Sequence, residues 1–196
     1  MDIPALIDQC NLGAPPTVVE AIIRAESQEI PLALNVNPPE GVPTPPVPEF
    51  TSATDAAVYA VSMVSQGYTV DVGLMQVNSA NLARFNVPIM EAFDPCKNIE
   101  LGTRVYLEAA ELVSKYPDHF TSPYARLQAT LSVYNTGSPW AGIANGYARR
   151  VIDGMRYNQD IAGADMSVSF SLDEHSKDEI SVLFVDKPNW GNNEKK

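Results

Sequence analysis

Apolar and polar positions recur with a helical period over most of the chain, interrupted by prolines and glycines. In VVEAIIRAESQ, residues 18 to 28, a step of about 100° per residue puts Val18, Val19, Ala21, Ile22, Ile23 and Ala25 on one apolar face. Glu20, Arg24 and Ser27 fall on the opposite side. Glu26 breaks the pattern: it lies four residues after Ile22 and three after Ile23, near the middle of the face the helix should bury. The predicted helix covers residues 17 to 29 and ends before Pro31.

Further helices follow from the same pattern and its punctuation. Residues 51 to 67 have Thr51 or Ser52 as N-cap, Asp55 in the first turn and Gly67 as a stop. Asn98 to about Tyr116 carries a stripe of Ile99, Gly102, Tyr106, Ala109 or Ala110, and Val113, ended by Pro117. Ser122-Pro123 opens a helix that runs through Leu127 and Leu131 to Tyr134 and closes at Gly137. A last one covers about residues 145 to 157. Between the first two, NPPEGVPTPPVPEF, residues 37 to 50, holds six prolines and reads as a solvated loop or a short polyproline segment rather than a lid over a groove. The expected architecture is one mainly α domain over residues 1 to 157. Residues 158 to 196 form an acidic tail or linker whose short β-like runs, SVSFS and ISVLFV, offer a partner-binding alternative.

The formal net charge of -11, with no dense basic run outside Arg149-Arg150, argues against nucleic acid and anionic membrane surfaces as partners. No window has the apolar length of a membrane span. MDIPALIDQC, at the N-terminus, lacks basic residues and a continuous apolar run, so it does not read as a secretory leader. The chain is therefore either cytosolic or a mature form carrying an added initiator Met. Cys10 and Cys96 read equally well as buried thiols or as a disulfide. In the second case the closed loop would contribute about 4 to 5 kcal/mol in the chain-entropy model and would require an oxidising compartment.

Most catalytic chemistries are missing their residues. There is no P-loop, GxGxxG or GxSxG, and with His119 and His175 as the two histidines no HExxH or His-rich zinc site can form. No metal or organic cofactor is expected, and carboxylate chemistry remains. A carboxyl facing an apolar groove resists ionisation, so Glu26, flanked by Ile22 and Ile23, suits a proton donor to a leaving oxygen. The plainer alternative is that Glu26 turns into water or pairs with Arg24. In GYTVDVGLMQVN, residues 67 to 78, Gly73 allows close backbone approach, Met75 offers an adaptable apolar wall, and Gln76 and Asn78 bring amides that donate and accept. Such a surface suits an N-acetylated sugar. SVYNTG, residues 132 to 137, brings Tyr134 and Asn135 to the exposed end of a helix, where a phenol can hold a carboxyl.

Glu26-Ser27, then Gly73-Leu74-Met75-Gln76, then Tyr134-Asn135 with Gly137, in this order, resemble the catalytic domain of lytic transglycosylases, from about Cys10 to Arg156. Cys10, PLALNVN after the Glu-Ser pair, the extra helix, and FDPCKNIELGTRVYL look like the branch associated with type IV secretion systems. The resemblance implies a goose-lysozyme-like α fold, a Cys10–Cys96 disulfide, periplasmic location and peptidoglycan as substrate. It implies Glu26 as the catalytic acid with Tyr134 orienting it. Ser27, Gly73, Leu74, Met75, Gln76, Asn78 and Asn135 would bind substrate, with Gln76 and Met75 shaping the acetamido site. The product would be a 1,6-anhydromuramoyl end, and secretion-system or pilus components would be partners of the tail. The chain departs from the family in a longer span between the Glu-Ser pair and GLMQ, and in having GYTVD where many members place a Ser. The residues alone leave two alternatives: a hydrolysing muramidase, for which Asp71 is the nearest second carboxylate, and a peptidoglycan-binding scaffold that does not cut.

Overall fold

Polar caps set where most of the helices begin. The computed structural model describes residues 1–162, with side chains through residue 155; the two β-like runs and nearly all of the acidic tail lie outside the described residues. Asp2 caps α1 (Ile3–Cys10), Ser52 caps α3 (Ala53–Ser65), Asn78 caps α4 (Ser79–Arg84), Asp94 caps α5 (Pro95–Ser114) and Ser122 caps α6 (Pro123–Thr136), each accepting a backbone N–H of the first turn. A short α7 (Ala141–Ala144) and α8 (Tyr147–Ala162) follow, so the last helix runs past residue 157. The chain is mainly α, as the hydrophobic periodicity predicts.

The helix bearing Glu26, α2 (Pro16–Ser27), ends earlier than predicted. Gln28 and Glu29 both take left-handed φ values, 53° and 66°, and turn the chain away before Pro31. Val18, Val19, Ala21, Ile22 and Ile23 are buried as expected, but in the last turn Ala25 is exposed and Ser27 is buried. Burial of Ser27 is tolerated because its hydroxyl donates to Ile23 O at 3.0 Å. Glu26 stays at the angular centre of the buried face, yet it is half-buried, because this turn of the helix reaches a cleft.

The helical period gives no warning of a small antiparallel sheet, β1 (Leu34–Asn37), β2 (Thr69–Val72) and β3 (Val77–Asn78), in the order β1-β2-β3. Strands of four, four and two residues are too short to show an alternating period. The register pairs Asn35 with Asp71 and Asp71 with Asn78. The loop between β2 and β3 is Gly73-Leu74-Met75-Gln76, so the family tetrapeptide is a hairpin turn.

α5 braces this turn from below. Asn98, almost fully buried, accepts from Met75 N at 2.7 Å and donates to Val72 O at 2.9 Å and Ala92 O at 2.7 Å. A Cβ on Gly73, whose φ is 76°, would overlap the Asn98 amide, and one on Gly102 would overlap Met75. Both glycines are thus needed for close approach. α1 is joined to α5 by the Cys10–Cys96 disulfide, with Cα atoms 5.3 Å apart, which closes the long loop between them. α2 packs against α8 in the main core, while Ala109, Val113, Phe120, Ala129 and Val133 form a smaller cluster between α5 and α6.

Beyond Asn37, which ends β1, the proline-rich segment has no regular structure and is mostly exposed. Tyr59 on α3 tethers it, donating its hydroxyl to Pro46 O at 2.8 Å, while Phe50 packs on the Tyr59 ring. Among the described residues no helix is long and apolar enough to cross a membrane.

Candidate active site

A cavity of about 350 Å³ opens where the end of α2 meets the sheet and the end of α6. Glu26, Ser27 and Gln28 line it from α2 and its cap, Leu34 and Asn35 from β1, Asp71 from β2, Gln76 from the hairpin turn and Asn135 from α6. Residues distant in sequence are brought together because α2 and α6 both end at the short sheet. The lining is largely polar, with two carboxyls and four side-chain amides.

Glu26 Oε1 accepts the hydroxyl of Tyr147 at 2.6 Å. Tyr147 opens α8, is buried, and is held at that end by Asn145, whose Oδ1 accepts Tyr147 N at 2.9 Å. Burial, reinforced by the Glu26 charge, pushes the Tyr147 phenol well above its ordinary range. It therefore remains a proton donor to Glu26 throughout the neutral range. Arg24 bridges Glu20 at 2.8 Å and Glu29 at 3.1 Å.

Tyr134 has a different place from the one read in the sequence. It is buried rather than at an exposed helix end, and its hydroxyl donates to Met75 O at 2.7 Å, which ties α6 to the hairpin turn. Burial and the charges of Glu26 and Asp71 push this phenol up too, so it lies within reach of both fields. The phenol bonded to Glu26 is thus Tyr147, which sequence reasoning missed. Its signal was present: Tyr147 starts the stripe Tyr147, Val151 and Met155, all buried, so a hydroxyl stands at the first turn of a buried helix face.

Of the other sequence candidates, Gln76 and Asn135 reach the cavity. Gln76 takes a left-handed φ of 47°, and its Nε2 donates to Ala33 O at 3.1 Å and Gly73 O at 3.0 Å, so it can offer a ligand Oε1. Asn135 Oδ1 accepts Asn145 Nδ2 at 3.0 Å, which leaves its own N–H groups for a ligand. Ser27 lines the cavity with its hydroxyl bonded back to its helix. Leu74 and Met75 are fully buried and form core, not cavity wall, and Met75 meets Gly102 of α5. Gly73 is buried as the bend of the turn. Asn78 is buried as well, capping α4 through Oδ1 and donating Nδ2 to Asp71 Oδ1 at 2.7 Å. Among the described residues no cluster of three or more His, Cys, Asp or Glu could hold a metal ion.

A helix-end carboxyl held by a buried phenol thus faces amides on a short sheet at the cleft of a lysozyme-like α domain. Residues 5–149 match the model of the transglycosylase SLT domain, and the chain belongs to that family. Among curated proteins it is similar to the type IV secretion system protein virB1 of Brucella abortus, 29% identical over 134 residues, and to protein virB1 of Agrobacterium fabrum, 28% identical over 145 residues. Those alignments cover 68% and 73% of this chain but 53% and 55% of the relatives, so the chain spans about half their length. No solved structure matches the chain.

Proposed function

We propose that the protein is a peptidoglycan lytic transglycosylase that opens the cell wall locally, in the periplasm, for a type IV secretion or conjugation apparatus. The observation that carries this reading is Glu26 at the cavity, half-buried on an apolar helix face and bonded to Tyr147. Membership of the family and similarity to the virB1 proteins support it. The Cys10–Cys96 disulfide supports an oxidising compartment.

The substrate is the β-1,4 bond between N-acetylmuramic acid and N-acetylglucosamine. Glu26, protonated, gives its proton to the glycosidic oxygen as the C1–O bond breaks and positive charge develops on the muramoyl ring. The ionised Glu26 then takes the proton of the muramoyl 6-hydroxyl, whose oxygen bonds to C1 and closes the anhydro ring. Tyr147 keeps the carboxyl in one rotamer through both transfers. Gln76 Oε1 and the Asn135 amide bind the sugar's acetamido and hydroxyl groups. Tyr134 acts one step removed, by fixing the hairpin turn that presents Gln76.

Mass spectrometry of digested cell wall tests the reaction class. The expected products carry 1,6-anhydromuramoyl ends; ordinary reducing ends in their place would assign the protein to the hydrolysing muramidases. Tyr147→Phe keeps the buried ring and removes the bond to Glu26. Turnover of purified peptidoglycan should fall roughly 10- to 100-fold, the range for loss of a hydrogen bond to a charged group, with KM little changed. Unchanged turnover in a folded Tyr147→Phe protein would remove Tyr147 from the mechanism.

A further inference from the structure

Gln76 and Asn135 reach the cavity with opposite polarity, and in each case backbone groups decide which way the amide points. Gln76 turns its Nε2 to Ala33 O and Gly73 O, so the oxygen is the end it offers. Asn135 is set at one remove, by Asn145. Asn145 closes α7 with its backbone N–H bonded to Ala141 O and Ile143 O, and its Oδ1 accepts Tyr147 N at 2.9 Å. A backbone N–H can only donate, so this bond puts the oxygen of the Asn145 amide toward α8 and its Nδ2 on the other side. Nδ2 then donates to Asn135 Oδ1 at 3.0 Å. The –NH₂ of Asn135 is left to the cavity, where it has no partner among the described residues. Gly146, with a φ of 79°, bends the chain between α7 and α8 so that one side chain makes both bonds.

We propose that Asn145 is a positioning residue that sets the polarity of this cavity: it holds Asn135 as a hydrogen-bond donor to the glycan, opposite Gln76 held as an acceptor. The inference rests on the glycan-cleaving reading above and deepens it. Asn145 itself touches no reacting atom. Its two bonds serve different steps: the one to Asn135 serves binding, and the one to Tyr147 N seats the phenol that holds Glu26. The Asn135–Asn145 bond is solvent-exposed, so its own contribution to stability is small; its effect is on direction. Were the Asn135 amide turned over, an oxygen would face the substrate's acceptor group, and a hydrogen bond would be replaced by a repulsion. A residue that served only the start of α8 would need an oxygen for Tyr147 N, which Asp or Ser supplies, and no amide donor.

Substitutions in the whole chain separate the two bonds. Asn145→Asp keeps an acceptor for Tyr147 N but sets a carboxylate oxygen against Asn135, whose amide turns over to donate to it. Asn145→Ser keeps the acceptor, does not reach Asn135 and adds no charge, so it controls for the carboxylate. Asn145→Ala removes both bonds. Binding of an N-acetylglucosamine hexasaccharide, measured by calorimetry, should weaken about 10-fold with Asp and roughly threefold with Ser. KM for purified sacculi should rise in the same order, with kcat within about threefold of the original in both. With Ala, kcat should fall as well, because Tyr147 loses its seat. Affinity and KM within about twofold of the original in Asn145→Asp overturn the proposal. So does an equal loss in all three variants with a lower Tm, which would make Asn145 a structural cap. If Asn145→Asp does not fold, Asn145→Ser decides: weaker binding with kcat retained supports the proposal, and unchanged binding overturns it. Ordinary reducing ends released by the unaltered protein would remove the transglycosylase reading alone, since the ratio of variant to original affinity probes Asn145 whichever ends are released.

Discussion

Glu26→Gln is expected to slow the clearing of purified peptidoglycan by about 10² to 10⁴-fold, the range in which a positioned acid–base group contributes. The amide keeps the size and the hydrogen bond with Tyr147, because Gln Oε1 accepts the phenol as the carboxyl does. What disappears is the proton that must reach the leaving oxygen. Binding of the glycan should persist, since Gln76 and Asn135 are untouched. The paired measurement separates an enzyme from a scaffold that binds peptidoglycan without cutting it. Equal clearing by the original and the variant would end the catalytic assignment; lost binding would mean that Glu26 holds substrate rather than protonates it.

The second large effect is on stability. Asn98→Ala should destabilise the fold by about 3 to 5 kcal/mol, because it strips partners from Met75 N, Val72 O and Ala92 O, all deep under the hairpin turn. For a domain of this size that is a fall in Tm of roughly 10 to 15 °C. Activity should fall as well at temperatures where the variant is still folded, since Asn98 sets the turn that presents Gln76. Urea or thermal unfolding measures the first effect. A loss below about 1 kcal/mol would show that the turn holds itself without α5.

Asn98 also shows where legibility in the sequence ends. The pattern places it at the start of a long helix, whereas α5 begins three residues earlier, at Pro95 under the Asp94 cap; the predicted stripe of Ile99, Gly102, Tyr106, Ala109 and Val113 is buried. Nothing in that stripe indicates that the neighbouring Asn reaches three backbone groups in two other segments. The same holds for Met75: an adaptable apolar side chain beside amides suggests a sugar-facing wall, but the hairpin bend turns it to α5, where Gly102 makes room. Tyr134 and Tyr147 illustrate the point most directly. Both are phenols on buried helix faces, and only the packing of α8 on α2 puts one of them, not the other, in bond with Glu26.

By itself the sequence determined the mainly helical class, the Ser52 and Ser122 caps and the Gly137 stop, the absence of nucleotide-type motifs, and the carboxylate on the buried face of α2. These are local properties: a helix period or a cap is complete within a few turns of chain, so its residues carry the whole signal. The sheet, the partner of Glu26, the anchoring of Asp71 by Asn37 and Asn78, and the burial of Leu74, Met75 and Tyr134 were decided by tertiary structure. Each depends on which long-range neighbour a side chain meets, and strands of two to four residues leave too little pattern to announce that meeting.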